Sequence, residues 1–584
     1  MSTRLAALLF ALLLALASAT APARDIYIDP SRSTGCPGRG SIEEPYCGWQ
    51  DAGPLAGGNR YLQRRGTVSR DGVRVTASPG LPASALAGEV FIGAYGDGPE
   101  RPTIRVDNLL PDSGDESSWR LVGPGLWVYR VAGFRIPDPQ VLLLDGRRAF
   151  GPARQREDLC SRRGGQRVEW MQAGDDLLLC SLRGNPATVF GRISGMQVRR
   201  DEPWAPILIE GRRQVVIDGL AVEGGRWGAI EIRTGSRDIE IRHCEIGRDS
   251  ASGIRAWSDT TPISGLDIHD NLIDSGIRWG AAGYEPAVSG EGVHFNAAVT
   301  QSRVHGNEVI AWSHNGLYLD AHLPGAPGVT GNRVDHNDFH CGPDSSYFDY
   351  CRPFGIDGWR PGAASGNLIF ANRMHDFSVG AQVNGNDNAV IGNLCYNALN
   401  SAARRRPTGM CFRMQAYLLS HDNLIAFNTM AYTADAAVEL GTGDGGITAG
   451  HRVIGNIFLS CGHDAVPERR DVCLVIGPAP AVGPAVIEDN LFFNPDGRPV
   501  RVLYRTGTAL DLAAWSGMDG DRMQRNRVAQ PLFASPQTGD FALLLGSPAR
   551  DQVPDLEVPG LAGRPIALGA WQGGPANEAW RLLR

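Results

Sequence analysis

One short phrase recurs through the middle of the chain and limits what it can fold into. A small residue or glycine is followed by an apolar, a variable, a second apolar and a second variable residue. The phrase reads Ala229-Ile230-Glu231-Ile232-Arg233, Gly253-Ile254-Arg255-Ala256-Trp257, Gly292-Val293-His294-Phe295-Asn296 and Gly316-Leu317-Tyr318-Leu319-Asp320. It continues as Gly355-Ile356-Asp357-Gly358-Trp359, Gly380-Ala381-Gln382-Val383-Asn384, Gly409-Met410-Cys411-Phe412-Arg413 and Ala437-Val438-Glu439-Leu440-Gly441. A second phrase alternates with it and carries an asparagine before an apolar pair. Those asparagines are Asn271, Asn307, Asn337, Asn372, Asn393, Asn428, Asn456 and Asn490, spaced by 36, 30, 35, 21, 35, 28 and 34 residues. Repeats of that length built from short alternating strands mean a stacked array. Within each strand the period is two, so apolar residues point inward and variable ones outward. The expected fold is all-β: a parallel β-solenoid whose coils bury their apolar faces against their neighbours. The asparagines belong at turns, where they tolerate the left-handed backbone region and bond to the amides above and below.

Residues 1–23 read as a secretory signal peptide. Arg4 precedes an apolar run over 5–17, and Ala17-Ser18-Ala19 and Ala21-Pro22-Ala23 offer small-x-small cleavage sites. The run is too short for a membrane span, and no later run approaches the required length. Eleven cysteines suit an oxidising compartment. Close spacing suggests the pairs Cys36/Cys47, Cys160/Cys180, Cys341/Cys351 and Cys461/Cys473. Cys244 and Cys395 are expected as buried free thiols, with Cys411 left over. The net charge is −7 and the 56 basic residues are all arginine, scattered rather than striped. That excludes a nucleic-acid-binding surface as the partner site and leaves no lysine to act as a general base.

Residues 24–114 are expected to hold the lead-in and first coils. Over 115–200 the pattern breaks into alternating segments around the Cys160/Cys180 pair, as expected of a small inserted β-rich subdomain. The main array spans 201–499, and 500–584 should form a C-terminal cap with a short helical piece over 509–515. Solenoids need such caps. The opening Tyr27-Ile28-Asp29-Pro30 and the phrase Gly93-Ala94-Tyr95-Gly96 resemble secreted bacterial right-handed parallel β-helix proteins, the pectate-lyase-like superfamily. So do the closing Pro531-Leu532-Phe533, Gly539-Asp540-Phe541, Gly546-Ser547-Pro548-Ala549 and Gly569-Ala570-Trp571. The resemblance covers nearly the whole chain after residue 23. It implies the right-handed helix and a polysaccharide or oligosaccharide partner, and it leaves the reaction open, because one fold hosts lyases, hydrolases, epimerases and adhesins.

Two long loops, 278–290 and 338–353, should overhang the central coils. The second carries Tyr347, a candidate substrate contact. Stacking the phrases gives a first outward column of Glu231, Arg255, His294, Tyr318, Asp357, Gln382, Cys411 and Glu439. The second holds Arg233, Trp257, Asn296, Asp320, Trp359, Asn384, Arg413 and Gly441. The central members combine aromatic faces, amides and carboxylates, which a sugar-processing groove requires. Asp320 and Asp357 are the candidate acid/base or nucleophile pair, on adjacent coils and in adjacent columns, at a Cα diagonal of roughly 8 Å. His294 and Tyr318 complete the candidate catalytic set. Trp257, Trp359, Asn296, Asn384, Arg255, Arg413 and His322 are candidate substrate contacts beside Tyr347. The plain alternative for each is a turn or surface residue. Their coincidence on adjacent coils under two long loops favours a site.

A glycoside hydrolase is the first functional expectation. The second is a lyase or C5-epimerase acting on a uronic-acid polymer, with His294 and Tyr318 as base and acid and Arg255 or Arg413 holding the uronate. Tyr318-Leu319-Asp320-Ala321-His322 is similar to the Tyr/Asp/His sets of alginate epimerases, with a different spacing. A third, a non-catalytic binding protein, predicts outward Thr, Ser and Asn without the cluster. Paired carboxylates with no arginine opposite would favour hydrolysis, and an arginine facing His294 and Tyr318 would favour elimination. No motif implies a resident cofactor. Asp335, Asp338 and Asp344 are the candidate ligands for calcium.

Overall fold

The computed structural model describes residues 24–550 apart from 78–85, 131–141, 150, 154, 164–165, 196–204, 226, 249, 276–289, 311, 313, 343–350, 361, 401–407, 417, 442–445, 506 and 513–520. The signal-peptide reading, Tyr347, Asp344 and the C-terminal end of the cap lie outside the described residues.

Three long parallel sheets, of 17, 13 and 13 strands, run the length of the molecule. Successive strands of the chain pass from sheet to sheet and return one coil further on, giving a right-handed parallel β-helix. The recurrent phrase forms one 13-stranded sheet, through Ile230–Arg233, Ile254–Trp257, Glu291–Asn296, Asn315–Ala321, Arg352–Gly358, Ala381–Asn384, Phe412–Met414 and Val438–Leu440. Its inward positions stack in register. Ile230, Ile254, Val293, Leu317 and Phe354 make one row, and Ile232, Ala256, Phe295, Leu319, Ile356 and Val383 another. All are sealed from solvent, and each large apolar side chain so buried contributes about 1.5–3 kcal/mol.

The asparagine ladder forms as expected and extends one rung further, to Asn526. At each rung the backbone N–H and the side-chain NH2 both donate to the Oδ1 of the next asparagine, as from Asn307 to Asn337 at 3.1 and 2.9 Å. The left-handed conformation, however, falls on the residue before each asparagine. Asp270, Gly306, His336, Ala371, Gly392, Phe427, Gly455 and Asp489 have φ between 53° and 67°. The asparagine keeps an ordinary backbone so that its amide can point into the turn. A second, shorter ladder joins Asn332, Asn367, Asn388 and Asn423.

The insertion is an antiparallel subdomain that starts earlier than expected, at Asn108–Leu109, and ends with Ile193–Gly195. It has its own core around Trp119, Tyr129, Trp170 and Leu177. The coils run on past 499 to Arg527–Val528. Of the expected helical piece, residues 509–511 belong to a strand, Thr508–Asp511, which folds back antiparallel on Arg501–Tyr504 and closes the sheet end, and 513–515 lie outside the described residues. The hairpin of Phe533–Ser535 and Asp540–Leu543 packs Phe541 on the outer ring of Tyr396.

Five disulfides are present. Four are the expected pairs, and the fifth joins Cys395 to Cys411. Cys395 is therefore no free thiol: it occupies a core slot beside the chain's return into the next coil, where Cys411 arrives. Cys244 is the buried free thiol. No described helix is long and apolar enough to cross a membrane.

Candidate active site

Strand register fixes the outward columns. Glu231, Arg255, His294, Tyr318, Gly355, Gln382, Arg413 and Glu439 form the first. Arg233, Trp257, Asn296, Asp320, Asp357 and Asn384 form the second. This corrects the sequence reading. Phe354, not Ile356, aligns with Leu317, so the whole phrase moves by two residues and Gly355 takes the first-column position. Asp357 thus stands directly opposite Asp320 in one column, at the strand spacing of about 4.8 Å between Cα atoms, and not on a diagonal. That shift carries Trp359 beyond the strand end, and a separate slip of two residues in the opposite direction puts Arg413 opposite Gln382 in the first column and removes Cys411 from both. The expected loop over 338–353 is also shorter, because Asp338–His340 and Arg352–Gly358 are strands.

The two aspartates are equally buried and oppositely dressed. Asp320 Oδ2 lies 2.6 Å from His322 Nδ1 and 3.3 Å from His294 Nε2. Burial works against its charge, but the hydrogen bonds from His294 and His322 outweigh it and hold the carboxyl below its usual range. The pairing raises the pKa of His322 in return. Asp357 accepts the Tyr318 hydroxyl at 2.6 Å on Oδ2, and the amides of Gln382 and Asn384 at 2.8 and 3.2 Å on Oδ1. Here burial wins: with the charge of Asp320 added, it pushes Asp357 up against the pull of Tyr318, Arg352 and Asn384. Tyr318 is itself pushed up strongly, by burial and by the charges of Asp357 and Asp320, so it stays a neutral donor. Its ring stacks on His294 with centroids 5.2 Å apart.

Three buried acceptor oxygens of the second column have no hydrogen-bond partner: Asn296 Oδ1, Asp320 Oδ1 and Asn384 Oδ1. They occur on three of four consecutive coils, and Asp357 occupies the fourth. Orphaned buried acceptors are costly, and such a row is suited to the hydroxyl donors of a ligand.

The remaining sequence candidates divide. Trp257 shares the column two coils before Asp320, and Trp359 lies exposed just past Asp357. Arg255 and Arg413 each face a carboxylate of the first column. Arg255 pairs with Glu231 at 3.8 Å and packs over Trp227, and Arg413 pairs with Glu439 at 3.4 Å. Sequence reasoning missed Glu291, His314 and Arg352, which lie beside or just before strand starts, where the phrase was read from its glycine onward. It named Gln382 only as a column member, without its bond to Asp357.

Of the candidate calcium ligands, Asp335 and Asp338 are engaged with other side chains. Asp335 is gripped by Arg303 at 2.9 and 2.7 Å and by Arg333 and His336, and Asp338 lies 3.0 Å from His375. Among the described residues, Asp387, His421 and Asp422 bring ligand-type atoms within 4.8 Å of one another, largely exposed on turns.

No family model matches the chain, and no curated protein matches it. Similar solved structures include XylC in complex with xylose, 11% identical over 87% of both chains with a TM-score of 0.44. Pectate lyase Pel9A is 11% identical over 96% of this chain and 98% of its own, with a TM-score of 0.37. The A-module of the Azotobacter vinelandii mannuronan C-5 epimerase AlgE4 is 11% identical over 82% and 88%, with a TM-score of 0.33.

Proposed function

We propose that this chain is an exported carbohydrate hydrolase that cleaves glycosidic bonds of a polysaccharide or oligosaccharide over the outward columns at Asp320 and Asp357. The observation that carries the reading is the opposite dressing of two carboxylates stacked in one column. Asp357, pushed toward its protonated form, is the general acid that gives its proton to the leaving oxygen. Asp320, kept ionised by two imidazoles, is the base or nucleophile on the anomeric side. Environments that drive paired carboxylates apart in pKa are how a site divides acid from base. The orphaned oxygens of Asn296, Asp320 and Asn384 accept sugar hydroxyls, and Trp257 and Trp359 offer ring faces to sugar C–H faces. Five disulfides fit an oxidising compartment, as an exported enzyme requires.

The stack of His294 on Tyr318 favours a second reading, abstraction of the C5 proton of a uronate, in which Tyr318 would donate. That chemistry needs a cation for the carboxylate, and the two column arginines are engaged with Glu231 and Glu439 instead. The test is incubation with neutral and uronic polysaccharides, following reducing ends and the ultraviolet absorbance of unsaturated uronate. Hydrolysis gives new reducing ends without absorbance, lost in Asp320→Asn and Asp357→Asn. Absorbance rising with the reducing ends would replace hydrolysis by elimination.

A further inference from the structure

We infer that Glu291 is a positioning residue that holds both halves of the carboxylate pair, an inference that rests on the hydrolase reading above. Glu291 opens the strand Glu291–Asn296 and is 9% exposed. Its backbone is locked in place by glycines on either side. A Cβ on Gly290 would lie 1.3 Å from the carbonyl oxygen of Ala251, and one on Gly292 would lie 2.4 Å from that of Gly316.

Two branches leave its carboxylate. Oε2 accepts the Ser252 hydroxyl at 3.2 Å and faces His294 Nδ1 at 3.5 Å, and the other face of that imidazole reaches Asp320. Oε1 lies 2.7 Å from His314 Nδ1. The His314 ring meets Tyr318 edge-on at 5.4 Å, and the Tyr318 hydroxyl donates to Asp357. One buried carboxylate thus orients the imidazole that holds the base and steadies the phenol that binds the acid.

A glutamine would supply hydrogen bonds at this place without the cost of burying a charge. A carboxylate adds what an amide cannot: two acceptor oxygens, one toward each imidazole. The two histidines hold Glu291 itself below its usual range against its burial. Around Asp320 stand His294, His322, Tyr318, Asp357, Glu291 and Arg255. Of these, His294 is the group that Glu291 touches. With glutamine the NH2 must face one of the two imidazoles, which upsets the placing of His294 against Asp320 or of His314 against Tyr318, and one negative charge near Asp320 is lost.

The experiment uses the full chain carrying 13Cγ-aspartate, with the Asp320 resonance assigned by Asp320→Asn. In Glu291→Gln the Asp320 titration midpoint should move by about half a pH unit or more, and in Glu291→Asp by less. On the saccharide that the wild type cleaves, kcat should fall about tenfold or more in Glu291→Gln. KM should change less than about twofold, and the acid limb of kcat/KM should move with Asp320. An unmoved Asp320 midpoint, or an unchanged kcat, overturns the inference. If Glu291→Gln does not fold, Ser252→Ala removes a hydrogen bond from the same carboxylate. It should move the Asp320 midpoint by a smaller amount, and an unmoved midpoint there overturns the inference equally. A wild type that cleaves no saccharide would defeat the hydrolase reading, while the resonance titration still decides whether Glu291 governs Asp320.

Discussion

The asparagine ladder and the second outward column are built from the same material, buried polar side chains repeated once per coil, and they spend it differently. On the ladder every amide is used. Asn337 donates to Val304, Asp335 and Asn372, and its Oδ1 receives two bonds from Asn307. On the column, Asn296, Asp320 and Asn384 each leave an oxygen buried and unbonded. The ladder is finished without a ligand, and the column is not. In a scaffold this regular, unfilled hydrogen-bonding capacity separates polar residues that stabilise the coil from those that await a substrate.

Substitution at the pair should give the largest effect and leave the coil intact. Asp320→Asn and Asp357→Asn are expected to lower kcat by about 10²–10⁴-fold, with unfolding in urea displaced little. A ladder substitution should do the reverse. Asn337→Ala strands the N–H of Asn307 and the carbonyls of Val304 and Asp335, at about 1–3 kcal/mol for each group left unsatisfied. A total loss of ~3–5 kcal/mol is expected from denaturant unfolding, with kcat of the folded protein retained. Asn296→Ala sharpens the contrast further. It removes an acceptor that no protein group uses, so stability should change by less than about 1 kcal/mol while KM rises several-fold. A ladder-like stability loss at Asn296 would erase the distinction.

The smallest effect is in the pH dependence. Asp357 has a raised folded pKa. Between its unfolded and folded values the folded chain therefore binds more protons than the unfolded one, and stability falls as pH rises. Asp357→Asn removes that term, so its stability advantage over wild type should grow as pH climbs through this window and then level off. Asp320 has the opposite sign. Its contribution is full above the unfolded value and is lost as pH falls through the depressed folded one. Asp320→Asn should accordingly lose stability at neutral pH and converge with wild type in acid. Unfolding free energies measured across pH check both signs.

Much of this architecture is legible in the sequence because its signals are local and repeated. Period-two phrases and cysteines 10 to 20 residues apart report on near neighbours in the chain, and the recurrent asparagines report on the next coil. The second ladder was legible too, since Asn332, Asn367, Asn388 and Asn423 each stand five residues before a first-ladder asparagine. The column position of Asp357 was not. Gly355-Ile356-Asp357 looks like the other phrases, and only pairing with the neighbouring strand shows that Phe354 carries the alignment. A slip of two preserves which residues face inward, so the apolar pattern gives no warning of it. Glu291 was hidden for a related reason. It lies at a strand start, and its partners His314 and Ser252 come from other coils. The Cys395–Cys411 bond, 16 residues apart, spans the same sheet-to-sheet turn as Cys341–Cys351 and Cys461–Cys473, and it was missed because Cys395 reads as an apolar core position.

The central claim is that two stacked carboxylates carry different charges, and neutron diffraction from a deuterated crystal at mildly acidic pH tests it most directly. The account predicts a deuteron on Asp357 and none on Asp320, with His322 Nδ1 and the Tyr318 hydroxyl both deuterated. A deuteron on Asp320, or two bare carboxylates in the same state, would contradict it.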